Sequence, residues 1–296
     1  MSTKTGEIVQ SSVTRGDLAD AARNAATNCL SASEGDVATL VTDEESRDGM
    51  AAIARALEDL GAKVQIFVIE ELGRRPLVRF PREVMESLER SQVSVYWAIP
   101  LPGELKSRLQ ILEASSTLKL RHAHLIGLQL DHFVEGMRVD YRKIAALQER
   151  IVERLRKASS IRVTTRGGSD LTAPLSADTN WVSMSGIIKP GVWQNLPSGQ
   201  MMFVPETASG KYVADAALGD WFGTKYQELP TYPLTVDIEE GRAIECRSPN
   251  QKLAREFSLY VRSNPNADRV GEMSIGTNLG LQSFTGKAVI DENVTG

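Results

Sequence analysis

The sequence predicts an α/β protein in two parts: a Rossmann-like N-terminal domain with a parallel sheet, then a β-rich α+β C-terminal domain. Three observations carry this. Up to residue 159, short apolar runs alternate with stretches of helical period, as in parallel strands covered by helices. From about Ser160 the texture changes to short strands with prolines and glycines between them. A chain of 296 residues also exceeds what one core commonly organises. The expected domains are 1–159 and 160–296, joined without a flexible linker.

Val37 to Val41 is an unbroken apolar-rich run, which suits a buried strand. Met50, Ile53, Leu57 and Leu60 then fall on one helical face, and Gly61 suits the helix stop. Val64 to Ile69 reads as the second strand. Pro81 opens a helix whose Val84, Met85 and Leu88 face a core. Val93 to Ile99 is the third strand, ended by Pro100 and Pro102. Glu104 to Leu118 has helical period, with Leu105, Leu109 and Leu112 on one side. Asp140 is placed to cap a helix whose apolar stripe is Ile144, Leu147, Ile151, Leu155 and Ala158.

In the second part, Ile161 to Thr165 and Asp170 to Leu175 read as strands around the Gly167-Gly168 turn. Further strands are expected at Met201 to Val204, Leu234 to Ile238, Ala243 to Cys246 and Lys287 to Ile290, with a helix near Asn250 to Val261.

Composition excludes several classes. A hydrophobic fraction of 42% with 24% charged residues describes an ordinary globular protein. The net charge of −4, with Lys and Arg spread along the chain, speaks against nucleic acid as partner. No apolar run reaches the length of about 18 residues that a membrane span needs. Met1 to Gln10 lacks the apolar core of a secretory signal, so the expected address is cytoplasmic. Cys29 and Cys246 stand far apart and are expected to be unpaired thiols.

A Rossmann-like layer does not by itself bind nucleotide. No G-x-G-x-x-G follows the first strand and no P-loop motif occurs. All three histidines lie between His122 and His132. His122 and His124 share one face of a strand, a spacing open to metal ligation, but no Cys or Glu nearby completes a set. A hydrogen-bonded histidine between domains is the favoured role. Serine- and cysteine-hydrolase motifs do not occur.

Three segments of the second part carry more information. They are Ile161-Arg162-Val163-Thr164 leading into Gly168-Ser169-Asp170-Leu171, then Asn195-Leu196-Pro197-Ser198-Gly199, then Gly271-Glu272 with Gly276-Thr277-Asn278. In this order they resemble the aminopeptidase T type of metallo-aminopeptidase, whose superfamily also includes the iron-dependent 2,5-dihydroxypyridine dioxygenases. The resemblance runs from about Val37 to the end. Lys287 to Gly296 resembles the stretch that leads into a ligand histidine.

The resemblance implies a divalent metal (Zn, Co, Mn or Fe) in a complete homologue. It implies a ligand role for Glu272, where the dioxygenase branch carries a histidine. At the position of the family's other glutamate stands Gln200, whose amide offers one carbonyl oxygen and no charge. Further ligands of the family fall beyond Gly296. The chain therefore reads as a piece of a longer protein or as a degenerate relative that needs no metal. Gln200 is expected to line the cleft, with Asn195 and Ser198 contacting substrate. Asp170 is a further cleft candidate, although a bond across its glycine turn is the favoured role.

Three functions follow from the resemblance. The first is a metallo-aminopeptidase-like hydrolase acting on peptides, with its site incomplete in this chain. The second is a non-catalytic peptide-binding relative that serves a partner enzyme. The third is a mononuclear Fe(II) dioxygenase that opens a small aromatic ring. The resemblance also implies a homodimer.

Overall fold

The computed structural model describes residues 13–227, 229–285 and 288–295. Met1 to Gln10 and Lys287 therefore lie outside the described residues. The chain forms two compact units, residues 1–140 with 186–197, and residues 141–185 with 198–296. The division differs from a single break after residue 159. The long helix that precedes the break packs with the second unit, and a short later segment returns to the first. Neither event leaves a mark in composition, because a helix stripe is apolar whichever core receives it and the strand Trp193-Gln194-Asn195 is too short and polar to show a period.

The first unit opens with α1 (Arg15–Asn24), which Thr14 caps by accepting a hydrogen bond from the Asp17 backbone N–H at 3.1 Å. A π-turn, Ala25–Cys29, continues it. Then come β1 (Val37–Thr42), α2 (Arg47–Asp59), β2 (Lys63–Val68), α3 (Ile69–Leu72), α4 (Arg82–Glu89), β3 (Val93–Ala98), α5 (Leu105–Thr117), β4 (Arg121–Ile126) and α6 (Leu130–Met137). The strands expected near 37, 64 and 93 and the helices between them are present. Gly61 adopts φ of +85°, as a helix stop requires.

The second unit begins with α7 (Tyr141–Leu155), β5 (Ser160–Thr164), β6 (Asp170–Pro174) and β7 (Val182–Met184). The chain then returns to the first unit as β8 (Trp193–Asn195). The sheet of the first unit is accordingly parallel, five-stranded, and ordered β2-β1-β3-β4-β8. Its core gathers Val41, Phe67, Val84, Leu88, Tyr96 and Ile111, among others.

The rest of the second unit comprises β9 (Gln200–Phe203), β10 (Ser209–Ala214), α8 (Gly219–Lys225), β11 (Leu234–Glu239), β12 (Arg242–Arg247), α9 (Gln251–Tyr260), β13 (Met273–Gly276) and α10 (Ala288–Asp291). Two sheets result. One is antiparallel, ordered β12-β11-β10-β6-β5, and the other is three-stranded, ordered β13-β9-β7. Leu171, Phe203, Phe222, Leu234, Val236 and Leu253 form part of the core.

One expectation is corrected. Ala288 to Ile290 belongs to a helical turn and not to a strand, closed by the Glu292 backbone N–H on the Ala288 carbonyl at 3.0 Å. On α5, the side carrying Leu105 and Leu109 faces outward, with 56% and 52% exposure, while Ser107, Ile111 and Ser115 are buried. Helical period marks an apolar stripe but not what the stripe meets.

Candidate functional site

Two of the three segments that carried the family resemblance meet in the second unit, through Ser198-Gly199 and Gly276-Thr277-Asn278. Strand β9 pairs antiparallel with β13, placing Gln200 opposite Gly276 and Phe203 opposite Met273. Just before β9, Gly199 takes φ of +135°, and a Cβ there would stand 2.9 Å from the Asn278 backbone nitrogen. Glycine is required at that crossing. The Gly199 carbonyl accepts from the Thr277 backbone N–H at 2.6 Å and from the Thr277 hydroxyl at 2.8 Å. The Asn278 side chain donates to the Ser198 carbonyl at 2.7 Å. Ser198, Thr277 and Asn278 are all buried.

The same knot holds the last described stretch of the chain. The Asn278 backbone N–H donates to the Asn293 carbonyl at 2.9 Å, and Asn278 forms a parallel bridge with Val294. A Cβ on Gly276 would collide with the Val294 carbonyl oxygen. The Pro-Ser-Gly and Gly-Thr-Asn motifs thus serve to join β9, β13 and residues 288–295. Ser198 extends this role, donating from its hydroxyl to the Met184 carbonyl at 2.9 Å and from its backbone N–H to the Tyr141 hydroxyl at 3.2 Å.

Gln148 of α7 lies under the knot. Its amide nitrogen donates to the Thr277 hydroxyl at 2.8 Å and to the Gln200 carbonyl at 3.2 Å. The Gln200 side chain is buried, and its Oε1 has no hydrogen-bond partner among the described residues. An unpaired buried acceptor costs about 1–3 kcal/mol, so this oxygen is a reserve of unmet binding capacity.

Glu272 directly precedes β13 and is exposed. Its neighbour in charge is Glu292, which follows α10 and which sequence reading did not single out. Burial first, and then the Glu272 charge, push the Glu292 carboxyl up to about 7. Glu292 is found only through folding, since 20 residues separate the pair in sequence and no motif joins them.

The five residues selected from sequence do not form one cluster. Ser198 and Gln200 share the knot. Glu272 lies four residues down the ladder from the position opposite Gln200, roughly 13 Å at strand rise. Asp170 sits on the other sheet of the unit and forms a two-pronged ion pair with Arg162, at 2.8 and 2.7 Å. Asn195 belongs to β8 in the first unit, in register with His124.

Two of the three histidines are also occupied. His122 Nδ1 and the Ser94 hydroxyl are 2.8 Å apart, and His122 Nε2 lies 3.2 Å from His124 Nδ1. Both rings are buried in the first unit, and burial depresses both, His122 to about 3. His124 also stacks on Tyr96 at 4.9 Å. Two neutral rings in a hydrogen-bonded row inside a sheet serve packing.

A catalytic divalent ion normally takes three or more protein ligands. Among the described residues no three His, Cys, Asp or Glu side chains converge. Glu272 and Glu292 supply two carboxylates, and the second unit contains no histidine. The described donors therefore do not by themselves fit the divalent ion that the resemblance implies. No helix among the described residues is long and apolar enough to cross a membrane.

Residues 139–270 match the family described as 2,5-dihydroxypyridine 5,6-dioxygenase. Two solved structures are similar over nearly the whole chain. The 2,5-dihydroxypyridine dioxygenase from Pseudomonas putida KT2440 shares 18% identity, with a TM-score of 0.66 over 96% of this chain and 84% of its own. Wild-type AmpT from Thermus thermophilus, an aminopeptidase T, shares 18% identity, with a TM-score of 0.62 over 95% of this chain and 84% of its own. No curated protein matches in sequence. Together these likenesses support the superfamily shared by the two enzyme types, and the solved structures speak for the fold.

Proposed function

We propose that the chain handles peptides as an aminopeptidase-like member of this superfamily, with Glu272 and Glu292 as the centre that recognises the peptide's N-terminal ammonium. The observation behind this reading is the carboxylate pair. Two acids close enough to interact repel each other, and partial burial withholds the water that would screen them. An arriving cation relieves both penalties. Glu272 accepts hydrogen bonds from the ammonium, and Glu292, with its carboxyl near 7, takes up or returns a proton as the ligand binds and leaves. Two carboxylates, the described donor set, fall short of the three ligands that a metal-activated step needs.

The dioxygenase reading has one observation in its favour, the family match over residues 139–270. Against it stands the donor chemistry. Non-haem iron oxygenases characteristically use two imidazoles and a carboxylate. Among the described residues no imidazole joins Glu272, and His122 and His124 of the first unit are buried and bonded.

Calorimetry with a short free-amine peptide and its N-acetylated form, in chelator, tests the proposal. Binding of the free amine alone, lost in Glu272→Gln, is the expected result. Equal binding of both peptides, or of neither, overturns it. Peptide hydrolysis by protein loaded with Mn²⁺ or Zn²⁺ replaces it with the metallo-hydrolase reading. Oxygen uptake with Fe(II) and 2,5-dihydroxypyridine replaces it with the dioxygenase reading.

A further inference from the structure

Residues in register on neighbouring strands stand side by side on one face of a sheet. The first unit sets three polar side chains in such a row. Tyr96 on β3 is in register with His124 on β4, and His124 with Asn195 on β8. The Tyr96 and His124 rings are stacked, with 4.9 Å between centroids and 12° between planes. Helix α5 brings Arg108 near enough for its charge to act on both rings.

Three of these groups end without a partner. Arg108 is half-buried, its Nε is buried with no hydrogen bond, and its guanidinium joins no ion pair among the described residues. Tyr96 is 1% exposed and Asn195 half-buried. Among the described residues neither the Tyr96 hydroxyl nor the Asn195 amide forms a hydrogen bond. The acids of this neighbourhood are committed elsewhere, since Arg75 holds Asp43 at 3.2 Å and Glu104 at 2.7 Å.

His124 supplies a further donor, and the residues behind it decide this. Among the described residues the Ser94 hydroxyl has no acceptor but His122 Nδ1, 2.8 Å away, so it donates there. Burial keeps both imidazoles neutral. His122 therefore carries its proton on Nε2 and donates to His124 Nδ1 at 3.2 Å. His124 is left with its own proton on Nε2, which has no acceptor among the described residues. The serine at one end of the row thus sets the donor at the other.

A guanidinium, a phenol, an imidazole N–H and an amide make a donor set with one positive charge and no paired carboxylate. We propose that Arg108, Tyr96, His124 and Asn195 form an oxyanion site for the carboxylate of a small monoanionic molecule. The planar fork of a guanidinium matches a planar carboxylate, whereas a phosphate dianion brings a second charge that no group here answers. Donors left unmet inside a fold cost stability, and a ligand recovers that cost. The site needs neither Glu272 nor Glu292, so it stands or falls apart from the peptide reading.

Nitrogen NMR of the full chain, titrated with sodium acetate against sodium chloride at equal ionic strength, tests this. The expected result is a saturable acetate shift of the Arg108 Nε and His124 Nε2 signals. Tyr96→Phe weakens acetate binding by about fivefold, the worth of one hydrogen bond. Arg108→Met removes the response, yet in acetate-free buffer it melts no lower than wild type, because its Nε bonds to nothing in the fold. The absence of a saturable shift overturns the proposal. So does a lower melting temperature for Arg108→Met, which would make the guanidinium structural. Tighter binding of inorganic phosphate than of acetate overturns the carboxylate assignment.

Discussion

Arg75 forks onto Glu104, with Nε on Oε1 at 2.8 Å and Nη2 on Oε2 at 2.7 Å. Its remaining N–H groups reach Asp43 at 3.2 Å, Glu70 at 3.0 Å and the Ile99 carbonyl at 2.7 Å. Asp43 follows β1 and Ile99 follows β3, and the strand order reverses between these two strands. In open parallel sheets this crevice is where ligands ordinarily bind. Here the ends of both strands are tied to a guanidinium with all its donors engaged. At the position where strand order reverses, the first unit thus carries a saturated ion-pair cluster.

Arg75→Ala should destabilise the first unit by about 3–5 kcal/mol, since Asp43 and Glu104 are left buried and unpaired. Glu104→Gln should cost less, because the amide still accepts one bond. Urea unfolding followed by tryptophan fluorescence measures both, and equal stability of Arg75→Ala and wild type would refute the ion-pair account.

Gly199→Ala forces a Cβ against Asn278 at a φ of +135° and should cost about 1–3 kcal/mol. Asn278→Ala removes the bond to the Ser198 carbonyl and should cost a similar amount. The two effects should be less than additive, because both loosen one joint. A double-mutant cycle by thermal unfolding gives the coupling, and strict additivity would disprove the shared knot.

His122, depressed to about 3 in the folded chain, stays neutral while an unfolded histidine gains its proton near 6.5. Its contribution is complete above about 6.5 and is lost as pH falls from there toward 3, by up to ~1.4 kcal/mol per pH unit. His122→Asn should flatten the acid limb of the stability curve measured by urea midpoints. An unchanged slope would mean that the ring is protonated in place.

Glu292 shows the opposite sign. Its carboxyl is raised from about 4.5 to about 7, so its neutral form suits the fold. Stability tied to it is full below the unfolded value and falls as pH rises through 7. Glu272→Gln removes a like charge and should lower the Glu292 midpoint, although burial, the larger cause, keeps it above an ordinary glutamate. Carbon-detected NMR titration reads the shift directly; no movement would place the two carboxylates out of range of each other.

Much of the fold was legible because local rules sufficed. Strands such as Val37–Thr42 and Val93–Ala98 are apolar runs of strand length, and Asn250 caps α9 through a bond to the Leu253 backbone N–H, as its side chain favours. The site was legible only as motifs. Asn195-Leu196-Pro197-Ser198-Gly199 and Gly276-Thr277-Asn278 were recognisable as strings, but their task of holding each other depends on contacts across 78 or 80 residues.

The sequence by itself determined the alternation of strand and helix, the change of texture after residue 159 and the resemblance to one superfamily, because these depend on residue type and near-neighbour spacing. Tertiary structure decided which partner each group meets. It returned Trp193–Asn195 to the first sheet, turned the leucines of α5 outward, separated Gln200 from Glu272 along the ladder and set Glu292 beside Glu272. Burial and charge coupling act through space, and no periodicity in the chain records them.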